Sequence, residues 1–291
     1  MWRLFVAAGI CAASIASSAT ASQLVDRNAS GVRLAVNGRG EALITYKAHG
    51  TLKRVLAWGA INARAPSQAQ PQVAFRLDYA GGFGKYRRAY WKSFGKRCGA
   101  YRGQPLAWLV AVCAAPDGSN WALQAWQRAL RNYGGAHSAW ELRLSHWTGL
   151  QAALTVKTDW TYRRFDHLFG SLVYQGKPAY GFHTTRRGAP LDRYGRLIYV
   201  DTFGSRYGPG WRRENSFVTH RPTGIFCYGF FPHGRRPAGK GTRYRATAIG
   251  PGVTPDVLWK GPTPGPYNRI VDALANAVQR IAFSDRSCRP N

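Results

Sequence analysis

Only 13 residues of this 291-residue chain are Asp or Glu, so any carboxylate chemistry must come from a short set of candidates. The most suggestive pair is Asp201 and Glu214. Asp201 lies in an alternating run, on the face that also carries Leu197, Tyr199 and Phe203. A carboxylate among aromatic rings is a candidate for a raised pKa or a ligand contact. Glycoside hydrolysis needs two carboxyl groups, about 5 Å apart for retention or about 6.5–9.5 Å apart for inversion. On that reading Asp201 and Glu214 are the acid and base of an extracellular hydrolase. The competing reading pairs Asp201 with Arg212 or Arg213, because basic side chains far outnumber acidic ones.

A second chemistry is recognition of an anionic chain. Residues 85–97 hold six basic and four aromatic side chains in thirteen positions. The ligand-binding candidates are Lys85, Tyr86, Arg87, Arg88, Tyr90, Trp91 and Lys92. Wound as a helix, Tyr86, Tyr90, Trp91 and Phe94 share one side, with Lys85, Arg88, Lys92 and Lys96 opposite. Basic groups neutralise a polyanion, and aromatic rings stack on bases or sugars. The alternative is that the rings anchor the segment to the core and the charges are solvated. A second basic cluster comprises Arg235, Arg236, Lys240, Arg243 and Arg245.

Sulfur chemistry points to compartment rather than catalysis. The chain opens Met1-Trp2-Arg3, runs apolar to Ile15, and reaches the small-residue site Ala19-Thr20-Ala21 before Ser22. A charged start, a short apolar stretch and an A-x-A site are the grammar of a cleavable leader, so residues 1–21 are read as a signal peptide. The apolar stretch falls short of the roughly 20 residues that span a bilayer. Four cysteines remain after processing: Cys98, Cys113, Cys227 and Cys288. An even number in an exported protein predicts two bridges, and the expected pairs are Cys98–Cys113 and Cys227–Cys288. No cysteine spacing fits a zinc site, so no metal and no cofactor are expected. The expected location is secreted or extracytoplasmic, with no transmembrane segment after processing.

The remaining motifs fail on context. Gly234 to Thr242 has phosphate-loop spacing with one extra glycine. A working loop needs a helix after it, whereas 244–249 alternates like a strand. There is no G-x-S-x-G elbow and no H-E-x-x-H. His146, His167 and His183 show no ligand spacing and are read as satisfied histidines near the core. Cys227 near His220 and His233 permits a thiol–imidazole pair, but an oxidised Cys227 would be inert.

These side chains must be positioned by strands. Residues 32–36, 42–48 and 52–58 alternate or run apolar, separated by the turns Asn37-Gly38-Arg39-Gly40 and His49-Gly50. They predict an N-terminal meander over 22–64, followed by a linker or exposed loop at 65–72 and a main β-rich domain over 73–291. Further strands are expected at 73–79, 106–113, 140–146, 154–160, 168–174, 179–184, 197–203, 225–231 and 244–249. The run 106–113 reads as buried on both faces. Residues 121–133 carry helical spacing and predict a helix, although Leu123 breaks the stripe. Ile270, Val271, Leu274, Ala277, Val278 and Ile281 form the apolar stripe of a C-terminal helix. The expected fold is therefore mainly β, an antiparallel sandwich or barrel-like domain ending in an α-helix.

The charge narrows the partners. Thirty-two Arg and 9 Lys give the chain a formal net charge of +28, which becomes +27 when Arg3 leaves with the leader. Such a surface favours acidic polysaccharide or another polyanion. The expected function is non-catalytic binding of an anionic polymer such as acidic glycan. The rivals are the extracellular hydrolase and a structural envelope protein whose charge serves only solubility.

Overall fold

A computed structural model describes residues 22–64, 70, 72–127, 139–161, 165–178, 183–184, 190–191, 198–205, 208–213, 216–220, 225–230, 241–248, 250 and 252–283. The first strands are β1 (Gln23–Arg27), β2 (Ser30–Val36), β3 (Ala42–Ala48), β4 (Thr51–Trp58) and β5 (Arg76–Asp78). A one-turn helix α1 (Phe83–Tyr86) and a 3-10 turn (Tyr90–Ser93) follow. Then come β6 (Leu109–Ala114), β7 (Asn120–Gln127), β8 (Trp140–Trp147), β9 (Ala153–Thr161) and β10 (Phe165–Tyr174). Short pieces β11 (Lys177–Pro178), β12 (His183–Thr184) and β13 (Pro190–Leu191) lead to β14 (Ile198–Ser205) and β15 (Gly208–Arg213). The chain continues through β16 (Ser216–His220), β17 (Ile225–Phe230), β18 (Arg243–Ala248) and β19 (Val257–Pro262) to helix α2 (Arg269–Phe283).

The protein is mostly β, with antiparallel sheets packed together and a C-terminal helix; no closed barrel forms among the described residues. The meander β2-β3-β4 extends to β5. His49 and Gly50, both left-handed at φ 51° and 74°, make the two-residue turn between β3 and β4. That conformation matches the twist of a hairpin and is cheap for glycine. Beside it lies the sheet β1-β8-β7-β6. Strand β1 thus pairs far along the chain, Gln23 opposite Leu144, and strand β5 joins β4 across the 65–72 segment. The side chain of Gln72 is buried there and accepts from Arg64 N at 3.0 Å. Val36, Ile44, Val55, Trp121, Leu123 and Leu144 fill the core between these sheets. The third main sheet runs β15-β14-β18-β19, and β10 joins β9, β11 and β17 in another. Leu168, Leu172, Val200, Tyr244 and Ala246 form the core of that half.

Three local expectations are corrected. The helix expected over 121–133 is strand β7 where the chain is described. Trp121, Ala122, Leu123 and Gln124 are all buried, because β7 lies between β8 and β6 with both faces covered. Covering both faces erases the period-2 signal and mimics a helical stripe. Conversely, the apolar run expected to be buried on both faces becomes β6, at the sheet edge, with Leu109 and Val110 exposed. Finally, α2 turns its buried Asp272 inward, while Ile270 and Leu274 are 71% and 62% exposed. The apolar stripe read from the sequence is therefore not the face buried in this part of the helix.

Candidate functional site

The basic-aromatic segment 85–97 does not wind as one helix. Helix α1 ends after one turn at Arg87, left-handed at φ 55°, and a 3-10 turn restarts at Tyr90. Gly82, at φ 98°, lets the chain bend back over the meander. A Cβ there would stand 3.0 Å from Tyr90 and 3.2 Å from Leu56 Cδ2. The bend drops Tyr90 and Phe94 into a core with Ala35, Leu43 and Leu56, with Tyr86, Trp58 and Trp91 packed around it. The rings anchor the segment, as the alternative reading had it. Trp91 lies under Arg54, 5.6 Å from its guanidinium carbon, rather than projecting as a platform.

Beneath these rings is Glu41, only 2% exposed. Asn37 builds this corner. Its Oδ1 accepts from Arg39 N at 2.9 Å and Glu41 N at 3.1 Å, closing the turn between β2 and β3. The Glu41 carboxylate accepts from Lys85 Nζ at 2.5 Å, Asn37 Nδ2 at 2.8 Å, Tyr90 OH at 3.0 Å, and also Tyr86 OH. Burial pushes its pKa up, but these four donors outweigh burial and hold it below the usual carboxylate range. Burial, with Glu41 next, pushes the Tyr90 phenol up to about 12. Lys85 is thus committed to Glu41 and to the Trp58 ring, 4.4 Å away.

The charges left outward are Arg87, Arg88, Lys92, Lys96 and Arg97, all exposed. Arg88 joins Arg39 and Arg97 around an open cleft of about 530 Å³, lined also by Asn37, Tyr90 and Ser93. Arg97 lays its side chain over Gly38, 3.6 Å from where a Cβ would sit. None of the three arginines lies within ion-pairing distance of a described carboxylate. Arg39 escaped the sequence reading of this surface because it comes from a distant turn; Arg97 was counted in the basic segment but not among the ligand-binding candidates. The triad Asn-Gly-Arg at 37–39 was legible only as a turn.

Asp201 is fully buried on β14 and stands in register with Arg213 of β15 and Arg245 of β18. Its Oδ1 accepts from Arg213 Nε, and its Oδ2 from Arg245 Nε at 2.7 Å. Arg213 in turn covers Tyr199 at 3.9 Å, Arg245 covers Trp211 at 4.6 Å, and exposed Arg243 covers Phe203 at 4.3 Å. Both carboxylate oxygens are taken by guanidinium groups, the arrangement that the ion-pair reading anticipated with Arg213. Glu214 lies outside the described residues, as do Arg235, Arg236 and Lys240. The strand β18 follows Thr242 where a phosphate loop would require a helix.

Two buried constellations went unseen in the sequence. Ser119 Oγ contacts both Asp117 Oδ1 at 2.6 Å and His146 Nε2 at 2.8 Å, while His146 Nδ1 faces Ala60 O at 2.6 Å. The carboxylate is on the serine, not on the far imidazole nitrogen, so the trio orients a turn rather than a nucleophile. Burial drives the His146 pKa down to about 4, against the Ala60 carbonyl and Asp117. The second constellation centres on Asp256, 1% exposed. It accepts from Ser22 Oγ at 2.6 Å, Trp126 Nε1 at 2.9 Å and Gly250 N at 3.1 Å. Arg143, on β8, donates its Nε to Ser22 Oγ at 2.9 Å. Nothing in residue spacing links 22, 126, 143 and 256; the pairing of β8 with β1 and β7 gathers the first three, and Gln124 on β7 holds the Asp256 backbone beside them.

The bridge Cys98–Cys113 is present, with Cα atoms 5.1 Å apart. It ties the end of the basic segment to β6. Cys227 is on β17, and Cys288 lies outside the described residues, so that second pairing is not described. Residues 1–21, where a leader was expected, lie outside them too. Among the described residues no helix is long and apolar enough to cross a membrane, and no group of three His, Cys, Asp or Glu side chains could hold a metal ion. No family model, no curated protein and no solved structure matches the chain.

Proposed function

We propose that this chain is an exported, disulfide-bonded protein that binds an anionic polymer, such as an acidic glycan, without catalysis. The observation that carries the reading is the cleft of Arg39, Arg88 and Arg97, three guanidinium groups without a described carboxylate partner. The acid nearest in sequence, Glu41, already accepts from Lys85, Tyr86 and Tyr90, and it attracts Arg39 only from beyond ion-pairing distance, less than Tyr86 and Tyr90 do. Arginine suits the task because its planar fork meets carboxylate, sulfate or phosphate with two donors at once. The anchor of Tyr90 and Phe94 holds the segment rigid, which lowers the ordering cost of binding. A net charge of +28 supplies long-range attraction to a polyanion, screened as salt rises.

A +28 chain will adhere to any polyanion, so retention alone proves nothing. The test is a comparison at matched charge. One variant replaces Arg39, Arg88 and Arg97 with Ala; the control replaces Arg33, Arg76 and Lys260, all exposed. Affinity for a sulfated glycan is measured across salt concentrations. Counterion release makes log affinity fall linearly with log salt, by about 0.7–0.9 per neutralised charge for nucleic acids. The cleft variant should lose about three charges from that slope, and the control should lose little. Equal losses in both would reduce the binding to unspecific charge and favour a structural envelope role.

A further inference from the structure

We infer that the buried carboxylate of Asp256 is a receptor for the chain's own N-terminal ammonium, created at Ser22 when the leader is removed. The inference rests on the export reading, because it needs cleavage between Ala21 and Ser22. Hydrolysis puts the hydroxyl of water on the Ala21 carbonyl and its hydrogen on the Ser22 nitrogen. That amine then takes up a proton below its ordinary pKa of about 8.

Four observations converge on it. Ser22 is fully buried, although it follows the expected cleavage point directly. Its neighbour Gln23 is already paired with Leu144, so cleavage leaves no free tail between terminus and sheet. The Ser22 hydroxyl lies 2.6 Å from Asp256 Oδ1, and the nitrogen of a serine is never more than about 4 Å from its own hydroxyl oxygen. An ammonium there stands within about 7 Å of the carboxylate, on the same buried side-chain network. Ser22 also holds φ at 27°, a conformation that a residue with a Cβ rarely adopts. That angle exists only while a peptide bond joins Ser22 to Ala21, so cleavage removes the strain with the bond.

Asp256 makes one long ion pair, with Arg143, and takes its hydrogen bonds from neutral donors. Its partners are the hydroxyl of Ser22, the indole of Trp126 and the amide of Gly250. Arg143 Nε stands 3.8 Å from Oδ2, beyond hydrogen-bond reach, and donates to Ser22 instead. Burial consequently holds the Asp256 pKa above the usual range despite Arg143, Ser22, Trp126 and Gly250. A buried carboxylate with neutral donors is costly, and an adjacent ammonium offsets that cost.

The experiment uses full mature chains with defined termini. One begins at Ser22 with a free amine, one begins at Ser22 with an acetylated amine, and one retains Ala21. Urea unfolding at pH 7 should give the free-amine chain a folded-to-unfolded ratio roughly ten- to a hundredfold above the other two. In an Asp256→Asn background the three should converge. Should that variant not fold, the amine itself is read: a charge-neutralising acylating reagent should modify native Ser22 at least about tenfold more slowly than the urea-unfolded chain. Equal stability of the free and acetylated chains, a difference that survives Asp256→Asn, or native labelling at the unfolded rate would each overturn the docking. Sequencing of exported protein separates this from the processing step. A start other than Ser22 overturns the natural occupant of the pocket, whatever the defined chains show.

Discussion

The Tyr90 hydroxyl donates to the buried carboxylate of Glu41 at 3.0 Å, joining the basic segment to the turn between β2 and β3. This bond decides what the segment's charges can do. Tyr90 points in, and so Arg88 points out. Replacing Glu41 with Gln keeps the shape but removes the charge that Lys85, Tyr86 and Tyr90 share. It should cost about 1–3 kcal/mol by urea unfolding, because hydrogen bonds to a charged acceptor are the stronger kind. The tyrosine also reports directly. Its folded pKa of about 12 lies above the unfolded value of about 10, so its stabilisation is complete below pH 10 and is lost as pH rises toward 12. Tyr46, Tyr79 and Tyr101 are raised as well, so ultraviolet titration should show several late phenols, of which one moves toward 10 in the Glu41→Gln variant. A Tyr90 titration unmoved by that change would mean Glu41 does not hold it.

Most of the β framework was legible, and the reasons it failed elsewhere are physical. Strands β2, β3 and β4 are bounded by the turn residues at 37–40 and 49–50, so 32–36, 42–48 and 52–58 were placed within two residues even though β3 is buried at most positions. Strand β7, covered on both faces, follows a helical spacing instead of alternating. Strands β15 and β19 contain Gly208, Pro209, Gly210, Gly261 and Pro262, which read as loop in any local window. The site was half legible. Composition singled out residues 85–97, but which rings turn inward depends on Glu41, 44 residues before Lys85. The Asp256 pocket was not legible, since its members span 234 residues between Ser22 and Asp256.

Asp201 offers a sharp discrimination between structural and catalytic roles. Its two oxygens bind Arg213 and Arg245, both nearly buried. Asp201→Asn should leave two guanidinium groups without their anion and cost about 3–5 kcal/mol, the range for breaking a buried pair. Adding Arg245→Met should recover part of that loss by removing one stranded charge. A hydrolase would behave otherwise: Asp201→Asn would fold normally and abolish turnover on a glycan. Wild-type stability in Asp201→Asn would therefore remove the structural role.

The bridge Cys98–Cys113 closes a loop 15 residues long in sequence separation. Cross-linking such a loop restricts the unfolded chain by about 3 kcal/mol in the chain-entropy account. Replacing both cysteines with Ser should lower stability by about 2–4 kcal/mol, and should also loosen the end of the basic segment next to Arg97. Non-reducing peptide mapping of the wild type should recover the 98–113 linkage. An unchanged urea midpoint in the double variant would show that the loop is held by other contacts.

His146 gives the chain a pH dependence whose sign is fixed by its surroundings. Its ring lies 3.8 Å over Trp121, with Nδ1 donating to Ala60 O at neutral pH and Nε2 facing Ser119 Oγ, whose one proton goes to Asp117. That tautomer follows from Ala60 O being an acceptor only. Protonation would put a charge in this stack, and burial lowers the folded pKa to about 4 from about 6.5 in the unfolded chain. Between those values the unfolded chain binds the extra proton. Stability is therefore complete above pH 6.5 and falls as pH drops, by about 1.4 kcal/mol per unit and about 3 kcal/mol by pH 4. Carboxylates held low by their partners, such as Glu41 and Asp117, lose their contribution only below about pH 4.3, and the raised Asp256 acts with the opposite sign, so the histidine's share between about 6.5 and 5 is the part of the slope that a His146 variant removes. Urea unfolding at half-unit steps through that window should show the slope in the wild type and lose it in His146→Gln, whose amide can meet Ala60 O and Ser119 without taking a proton. A slope that persists in the variant would place the titrating group elsewhere. The imidazole proton resonance of His146 should meanwhile stay at its neutral shift down to pH 5, and a midpoint near 6.5 there would mean the ring is not desolvated by Trp121 and Phe75.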